Sequence, residues 1–562
     1  MSGPGLGWYL KLFSVVMVFA ISVAHAWAPP VLEFRSIDGT GNNIAHPNWG
    51  AAGSRLVRGS SGSHYGDGIS SMGGATRPSP RDVSNALFDQ RVPVFSTVGH
   101  SDYIWTWGQF LDHDLGLTPG AGTELLPIPV PHGDRFFVNV PSIAFSRSLF
   151  DTATGTTTPR EQMNLITSYI DGSNVYGSDE QRASWLRTHI GGRLKVTATT
   201  VGDLLPYNDG AMPNAGTPEK PNLSPALFVA GDVRANEQPT LAAIHTLFVR
   251  EHNYQADRIA RENKNLRDEE IYQRARKIVI AEIQRITYEE FIPALLGTGS
   301  GGLPADTGYN PSVNGAVAQV FSTAAYRLGH TLLSPVIQHI DADGTFLPPL
   351  SLRDIFFAPT PPILAREGIE PILRGLAAQK AQDLDHHVID DVRNFLFGNE
   401  GPALDLISLN LQRGRDHGLP DFNTVRAELG LPRKTSFSQI TSSPQAQLMS
   451  SLYGNVNNID LFAGLLLEDD MPGMIVGETL RAILVDQFVR SRAGDRFFYT
   501  RYLSGAELDQ VRNTRLSDII KRNTGVTDIQ DNVFFVRSVG AVREAQARQR
   551  AAVSDDRPGF PN

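Results

Sequence analysis

The chain reads as one large, mainly α-helical domain of many helices with few short strands. After Ser101, apolar residues recur at three- and four-residue spacing through most of the length. Alternating apolar and polar runs are rare and brief. No internal repeat or low-complexity linker divides the 562 residues, although such a length carries a soft expectation of about three or four domains.

Taken in chain order, Lys11 precedes an apolar run from Leu12 to Ala24, and Ala24-His25-Ala26 is a small-x-small cleavage site. That is the layout of a secretory signal peptide over residues 1–26, with a run too short to span a bilayer. A buried N-terminal helix is the other reading. The expectation is an exported protein, extracellular or periplasmic, with its domain over 27–562, a core over about 34–540 and a tail over 541–562 that frays. No later stretch approaches the roughly 20 apolar residues of a membrane span.

Residues 34–80, rich in Gly, Asn, Ser and Pro, read as irregular surface chain. Pro239 to Glu262 reads as a long amphipathic helix with proline in its first turn. Val313, Val317, Val320, Phe321, Ala324 and Leu328 keep helical spacing until Pro335 stops them. Gly477–Arg492 is another apolar-faced helix. Strand signals fall at Phe136–Val140 and Asn532–Arg537, and loops at Gly297–Pro304 and Ala358–Pro362.

The formal net charge of -9 is spread along the chain without a Lys/Arg run, which argues against nucleic-acid binding. There is no cysteine. That excludes disulfides, thiolate nucleophiles, cysteine–zinc sites, iron–sulfur clusters and cysteine-ligated haem, so a metal here must be held by His, Asp, Glu, amide or carbonyl groups.

Five segments carry chemical groups. In Trp105-Thr-Trp-Gly-Gln-Phe-Leu-Asp-His-Asp114, helical spacing puts Gln109, Asp112 and His113 on one face and Asp114 on its flank. The face offers an amide, a carboxylate and an imidazole among aromatic residues; a solvated Asp-His pair is the alternative. Thr167-Ser-Tyr-Ile-Asp-Gly-Ser173 sets oxygen-bearing residues at alternate positions, as a calcium loop does. Thr167, the Tyr169 carbonyl, Asp171 and Ser173 could bind the ion with Asp114 completing the shell; a turn of the same composition is the plainer reading. In Gly231-Asp-Val-Arg-Ala-Asn-Glu-Gln-Pro239, Arg234 and Glu237 can project into a pocket ahead of the long helix, or Asn236 caps that helix beside an ordinary ion pair. Tyr326-Arg-Leu-Gly-His330 ends an apolar helix with a histidine beside glycine, where a planar group can approach, or with a satisfied structural histidine. Leu409-Asn-Leu-Gln-Arg-Gly-Arg-Asp-His-Gly418 is dense in polar groups. It is either an ion-pair network or, through Asn410, an acceptor for the second N–H of a metal-bound imidazole. His386-His387 are left as a solvated loop.

Together and in this order, the five segments resemble the animal haem peroxidases of the peroxidase–cyclooxygenase superfamily, from about Phe34 to Ser538. Phe34-Arg-Ser-Ile-Asp-Gly-Thr-Gly-Asn-Asn43 and Gly494-Asp-Arg-Phe-Phe498 resemble that family's first and late segments. The resemblance implies a single large haem peroxidase domain with haem between distal and proximal helices. It implies hydrogen peroxide and a small reducing donor, a phenol or a halide, as reactants. His113 would be the distal acid–base, Gln109 its halide- and water-binding neighbour and Arg234 the distal cation. His330 would ligate the iron, with Asn410 accepting from its other ring nitrogen. Asp112 and Glu237 fall on the carboxylates that can form ester bonds to haem, and Asp114, Thr167, Tyr169, Asp171 and Ser173 on the calcium site.

Gln238 departs from the pattern where some members carry a sulfonium-forming methionine, so that third haem bond is not expected. The absence of cysteine suggests a microbial branch. Two rivals remain on the same fold. A fatty-acid dioxygenase would carry a tyrosine three residues before the proximal histidine, where this chain has Arg327, and helical geometry would turn Tyr326 about 100° away. A lapsed adhesion or matrix protein would lack catalytic residues, and none is missing.

Overall fold

The computed structural model describes residues 33–215, 223–297, 302–356, 360–396 and 404–536. The signal-peptide expectation for 1–26 and the frayed tail of 541–562 lie outside these residues. Contacts divide the chain into Met1–Phe34 and a second unit from Arg35 onward, and the second unit is mainly helical.

Its centre is the helix Pro239–Glu262, packed along Asp268–Ile286. Gln238 caps the first of these, its side chain accepting from the Thr240 and Leu241 amides, while Pro239 takes a first-turn position that needs no donor. Seventeen of its 24 residues are buried, too many for one amphipathic stripe, so it is a core helix. The helix Tyr103–Leu115 lies against it through Phe110 and Phe248, whose rings stack at 5.2 Å. The Asp268 helix runs on into a π-helical turn, Thr287–Phe291.

Strands are few among the described residues: four two-stranded antiparallel sheets, of which the longest pairs Gly120–Leu125 with Ser146–Ser148. The opening and late segments are clasped together, since Asp495 accepts from Arg35 at 2.6 Å and from Asn42 at 3.1 Å.

Several expectations need correction. The helical spacing from Val313 does not make one helix. Gln319–Thr323 is α-helical, Ala324 breaks the path at φ -131°, and Ala325–His330 is a 3-10 helix. The preceding residues are extended because Val57 pairs with them, accepting from the Gln319 amide and donating to Val317. Phe136–Val140 is a turn and not a strand, since the Asp134 carboxylate takes the Phe136 and Phe137 amides at 2.9 Å each. In Asn532–Arg537 only Phe535 pairs, with His100, and Arg537 lies outside the described residues. The expected loop at Ala358–Pro362 already contains the start of the helix Thr360–Glu367, whose first turn accepts both prolines.

Candidate active site

The side chains singled out by sequence meet in one cavity of about 320 Å³, within the range of about 300–1,000 Å³ usual for small-molecule sites. Gln109, Asp112, His113, Arg234, Glu237 and His330 all line it. Apolar walls come from Phe291, Leu328, Leu332, Phe356 and their neighbours.

The Tyr103 helix delivers Gln109, Asp112 and His113 on its pocket-facing side, as their spacing predicts. His113 is 3% exposed; its Nε2 lies 3.8 Å from Glu237 and its Nδ1 3.6 Å from Asp232. Burial, then the nearby Arg234 cation, holds its pKa well below the usual histidine value, while Asp232 pulls the other way. The imidazole is therefore neutral at ordinary pH, the form a base needs.

Arg234 is fixed by the same Asp232. Its Nε and one terminal nitrogen donate to the two carboxylate oxygens at 2.8 and 2.9 Å, and that nitrogen also reaches the Gly116 carbonyl at 2.9 Å. Burial works against ionisation of Asp232, but Arg234 and His113 outweigh it and hold the carboxyl well below its ordinary range. Asp232 was not singled out by the sequence reading. Its signal was a carboxylate two residues before Arg234, close enough to cap that residue's own amide at 2.8 Å.

A hydrogen-bond string runs across the pocket mouth of the long helix. Gln238 donates to Gln109 at 2.9 Å, and Gln109 donates to Glu237 at 2.7 Å. Gln238 thus caps the helix and also orients the Gln109 amide, a second role invisible in the sequence. Asn236 is not the cap; its side chain holds the backbone of Phe228 from both sides. Burial pushes the Glu237 pKa up to about 7, with Arg234 opposing and Asp232 reinforcing. Asp112 is also raised by burial, against Arg234 and Arg327. Its side chain keeps 39% of its surface open because it faces the cavity.

On the opposite wall His330 ends the 3-10 helix, and Asn410 comes to it from the helix Leu406–Asp416. The expected pairing of the two side chains is present. Asn410 Nδ2 lies 2.7 Å from His330 Nδ1, while Asn410 Oδ1 accepts from Arg327 at 2.7 Å. Ligation of a metal through Nε2 of His330 requires the ring proton on Nδ1, and so the Asn410 oxygen turned toward that nitrogen. Burial, then Arg327, lowers the His330 pKa to about 3. Arg327 has no carboxylate partner among the described residues, and burial followed by Arg413 lowers its pKa to about 10. Tyr326 is not turned away from the site as expected: it lines the cavity, and its buried hydroxyl has no hydrogen-bond partner.

Next to His113, Asp114 meets the segment 167–173. Asp114, Thr167, Tyr169, Asp171 and Ser173 are all at most 4% exposed. Ser173 donates to Asp114 at 2.8 Å, Thr167 donates to Asp171 at 2.8 Å, and Asp171 Oδ2 has no partner. Burial, then the neighbouring Asp171 carboxylate, raises Asp114 to about 7; burial raises Asp171 to about 6 against Arg35 and Arg276. Two enclosed carboxylates with an orphan oxygen suit a hard cation. Gly231 locks this loop to the Asp232–Arg234 segment, because a side chain there would stand 2.2 Å from the Ser173 carbonyl. The cavity likewise suits a flat apolar cofactor with acidic edges, having a histidine on each wall and the unpaired Arg327 cation beside it.

The remaining metal-like group, Asp385, His386 and His387, does not line this cavity; His387 Nδ1 pairs with Asp385 at 2.6 Å.

The family model for animal haem peroxidases matches residues 34–534. Peroxinectin A of Dictyostelium discoideum is 36% identical over 546 residues, covering 93% of this chain and 99% of that protein. Thyroid peroxidase of Mus musculus is 34% identical over 90% of this chain, which spans 61% of that longer protein. Among solved structures, peroxidase A from Dictyostelium discoideum superposes with a TM-score of 0.82 at 36% identity, covering 90% of this chain and 99% of that one. A fatty acid alpha-dioxygenase from Oryza sativa superposes at 0.74 with 22% identity over 90% of this chain and 87% of that one, a likeness of fold.

Proposed function

This chain belongs to the animal haem peroxidase family and is a haem peroxidase, and from that premise we propose how its own residues act. The single observation that carries the assignment of roles is the shared carboxylate of Asp232, which faces His113 Nδ1 and grips Arg234 at once.

Haem, when bound, supplies an iron centre that takes oxidising power from peroxide and passes it to a donor. His330 would hold that iron, with Arg327 available to an acidic edge of the cofactor. Asp232 favours the N–H on Nδ1 of His113 and leaves Nε2 as the base toward the pocket. Nε2 takes a proton from one peroxide oxygen and returns it to the other, which departs as water. Arg234, kept charged by Asp232, stabilises the negative charge that builds on the departing oxygen. Gln109, oriented by Gln238, positions water or a halide beside His113.

Asp112 and Glu237, raised carboxyls on the cavity wall, are the groups for ester bonds to haem. Haem that stays with the protein in acidified butanone, and is released from the Asp112→Asn, Glu237→Gln double variant, supports this; free extraction from the parent refutes it. Asp114, Thr167, Asp171, Ser173 and the Tyr169 carbonyl would hold calcium. Residues 1–26 would direct export, so that exported protein starts near Trp27, as N-terminal sequencing reads. No helix among the described residues is long and apolar enough to cross a membrane. The donor is a phenol or a halide.

The decisive test is an absorption spectrum followed by guaiacol oxidation on adding peroxide, comparing the parent with His113→Ala. A Soret band and turnover that falls by about 10²–10⁴ in the variant is the expected result. A Soret band with fatty-acid-dependent oxygen uptake and no guaiacol turnover would instead favour the dioxygenase chemistry of the same fold.

A further inference from the structure

Away from the cavity, Asp385-His386-His387 is a motif that the peroxidase reading leaves unused. Its segment is braced on both sides. The Asp383 amide donates to the Val94 carbonyl at 2.7 Å, and the Val388 amide donates to the Phe88 carbonyl at 3.0 Å. Between these anchors the chain bends at residues 384–386. In an extended strand two consecutive side chains point to opposite faces. Here the bend brings both imidazoles to one side, with ring centroids 4.0 Å apart and planes tilted by 34°. Asp385 joins them, its carboxylate accepting from the His387 amide at 2.7 Å and meeting His387 Nδ1 at 2.6 Å.

One ligand atom from each of the three residues lies within 4.8 Å of the others. They are not the freely solvated loop expected from sequence, yet an ion can reach them: 27% of the Asp385 side chain and 32% of the His387 side chain are open to solvent. The Asp385–His387 hydrogen bond accounts for only part of the group. His386 has no hydrogen-bond partner among the described residues.

We propose that Asp385, His386 and His387 form a further metal site, which takes a divalent transition-metal ion of the zinc type and completes its shell with water. The site is separate from the haem cavity and independent of the peroxidase reading.

The donor set selects the ion. Two imidazoles and one carboxylate suit zinc and its neighbours, whereas calcium and magnesium take oxygen ligands. Donors at about 2.0–2.1 Å from one tetrahedral zinc stand roughly 3.3 Å apart, so atoms already within 4.8 Å close on it by side-chain rotation. The braced turn holds them near one another before the ion arrives, which lowers the ordering cost of binding.

The surroundings supply charge and room. Asp385 and His386 line a cavity of about 270 Å³ together with Glu468, Asp469 and Asp470. Partial burial, then Asp383, Asp385 and Asp469, raises the Asp470 pKa to about 6, as carboxylates crowded in one place require. Glu468 is paired with Arg426 at 2.6 Å, but no arginine or lysine lines the cavity. Its uncompensated negative field draws a cation in. In a chain without cysteine, the ion pins the turn that leads into the helix Asp390–Arg393, whose Val392 lines the haem cavity.

The test uses haem-loaded, calcium-saturated protein without an affinity tag. Zinc sulfate titrated into it in a calorimeter should bind as one saturable equivalent. Zinc at about a hundred times its Kd should raise the melting temperature by roughly 2 °C. Copper(II) at one equivalent, in place of zinc, should show splitting from two imidazole nitrogens in electron paramagnetic resonance. His386→Ala removes no hydrogen bond and so does not endanger the fold. It should weaken zinc binding about tenfold or more and leave one nitrogen in the copper splitting. Asp385→Asn should weaken zinc binding by a similar factor. No saturable heat in the parent, or a Kd and melting shift that neither variant changes, overturns the site.

Discussion

On the wall built by the Tyr103 helix, His113 faces the carboxylate of Asp232, which also binds Arg234 through two nitrogens. On the other wall, His330 meets the neutral amide of Asn410, whose oxygen is occupied by the cation Arg327. Both histidines are pushed toward neutrality by burial. The Asp232 carboxylate stands 3.6 Å from His113 Nδ1 and keeps the Arg234 cation beside it. The neutral amide beside His330 adds no negative charge, so an iron held there would gain no electron density through it. The two walls share a residue type and divide the work through its partner.

The harshest way to break the contrast is Asp232→Asn. It leaves Arg234 buried without its carboxylate, at a cost of about 3–5 kcal/mol in stability. It also replaces the negative charge near Nδ1 with a neutral amide, so the rate with peroxide should fall by about 10²–10³. Urea unfolding and stopped-flow mixing measure the two losses, and a variant as fast as the parent would show that Asp232 does not set the His113 tautomer.

Calcium addition tests whether the two buried carboxylates behind the same wall hold an ion. Without the ion, Asp114 and Asp171 have pKa values raised to about 7 and about 6 from an ordinary 3.8. The folded state then binds protons that the unfolded state has lost, so stability declines as pH rises from about 4 to about 7. With calcium the carboxylates are ionised partners of the cation and that decline should vanish. Saturation at a hundred times the Kd would contribute about 2.7 kcal/mol. Melting curves with calcium and with a chelator across this range check both; identical curves would rule out the site.

A gentler test concerns pH and the peroxide step. His113 remains neutral well below pH 6.5 because burial and Arg234 depress its pKa. The rate should therefore stay level as pH falls through 6.5 and drop only at markedly lower values, and an inflection at 6.5 would contradict the electrostatics of this wall. The smallest change comes from copying one wall onto the other. Asn410→Asp places a carboxylate against His330, which should lower the iron's reduction potential and slow donor oxidation by about tenfold. Spectroelectrochemistry reads the shift, and an unaltered potential would mean that the partner of His330 does not tune the iron.

Much of the site was legible because helical spacing is local. Gln109, Asp112 and His113 share a face by arithmetic, and Pro239–Glu262 was read with its observed bounds. Asp232 was passed over because its value lies in touching His113, a residue more than a hundred positions away. The helix expected from Val313 failed for a similar reason: Val57 captures its first residues, and nothing near Val313 announces that.

The sequence by itself determined the inventory: a cysteine-free, mainly helical domain, two histidines in ordered motifs, and oxygen-rich residues placed for a cation. Those follow from residue type and period, which are properties of short stretches. Tertiary structure alone decided the directions. It put Gln238 on Gln109, set Asn410 between Arg327 and His330, and kept Tyr326 on the cavity wall through a 3-10 turn. Hydrogen-bond direction and ring contact depend on which distant group arrives first at a shared atom, and only packing settles that.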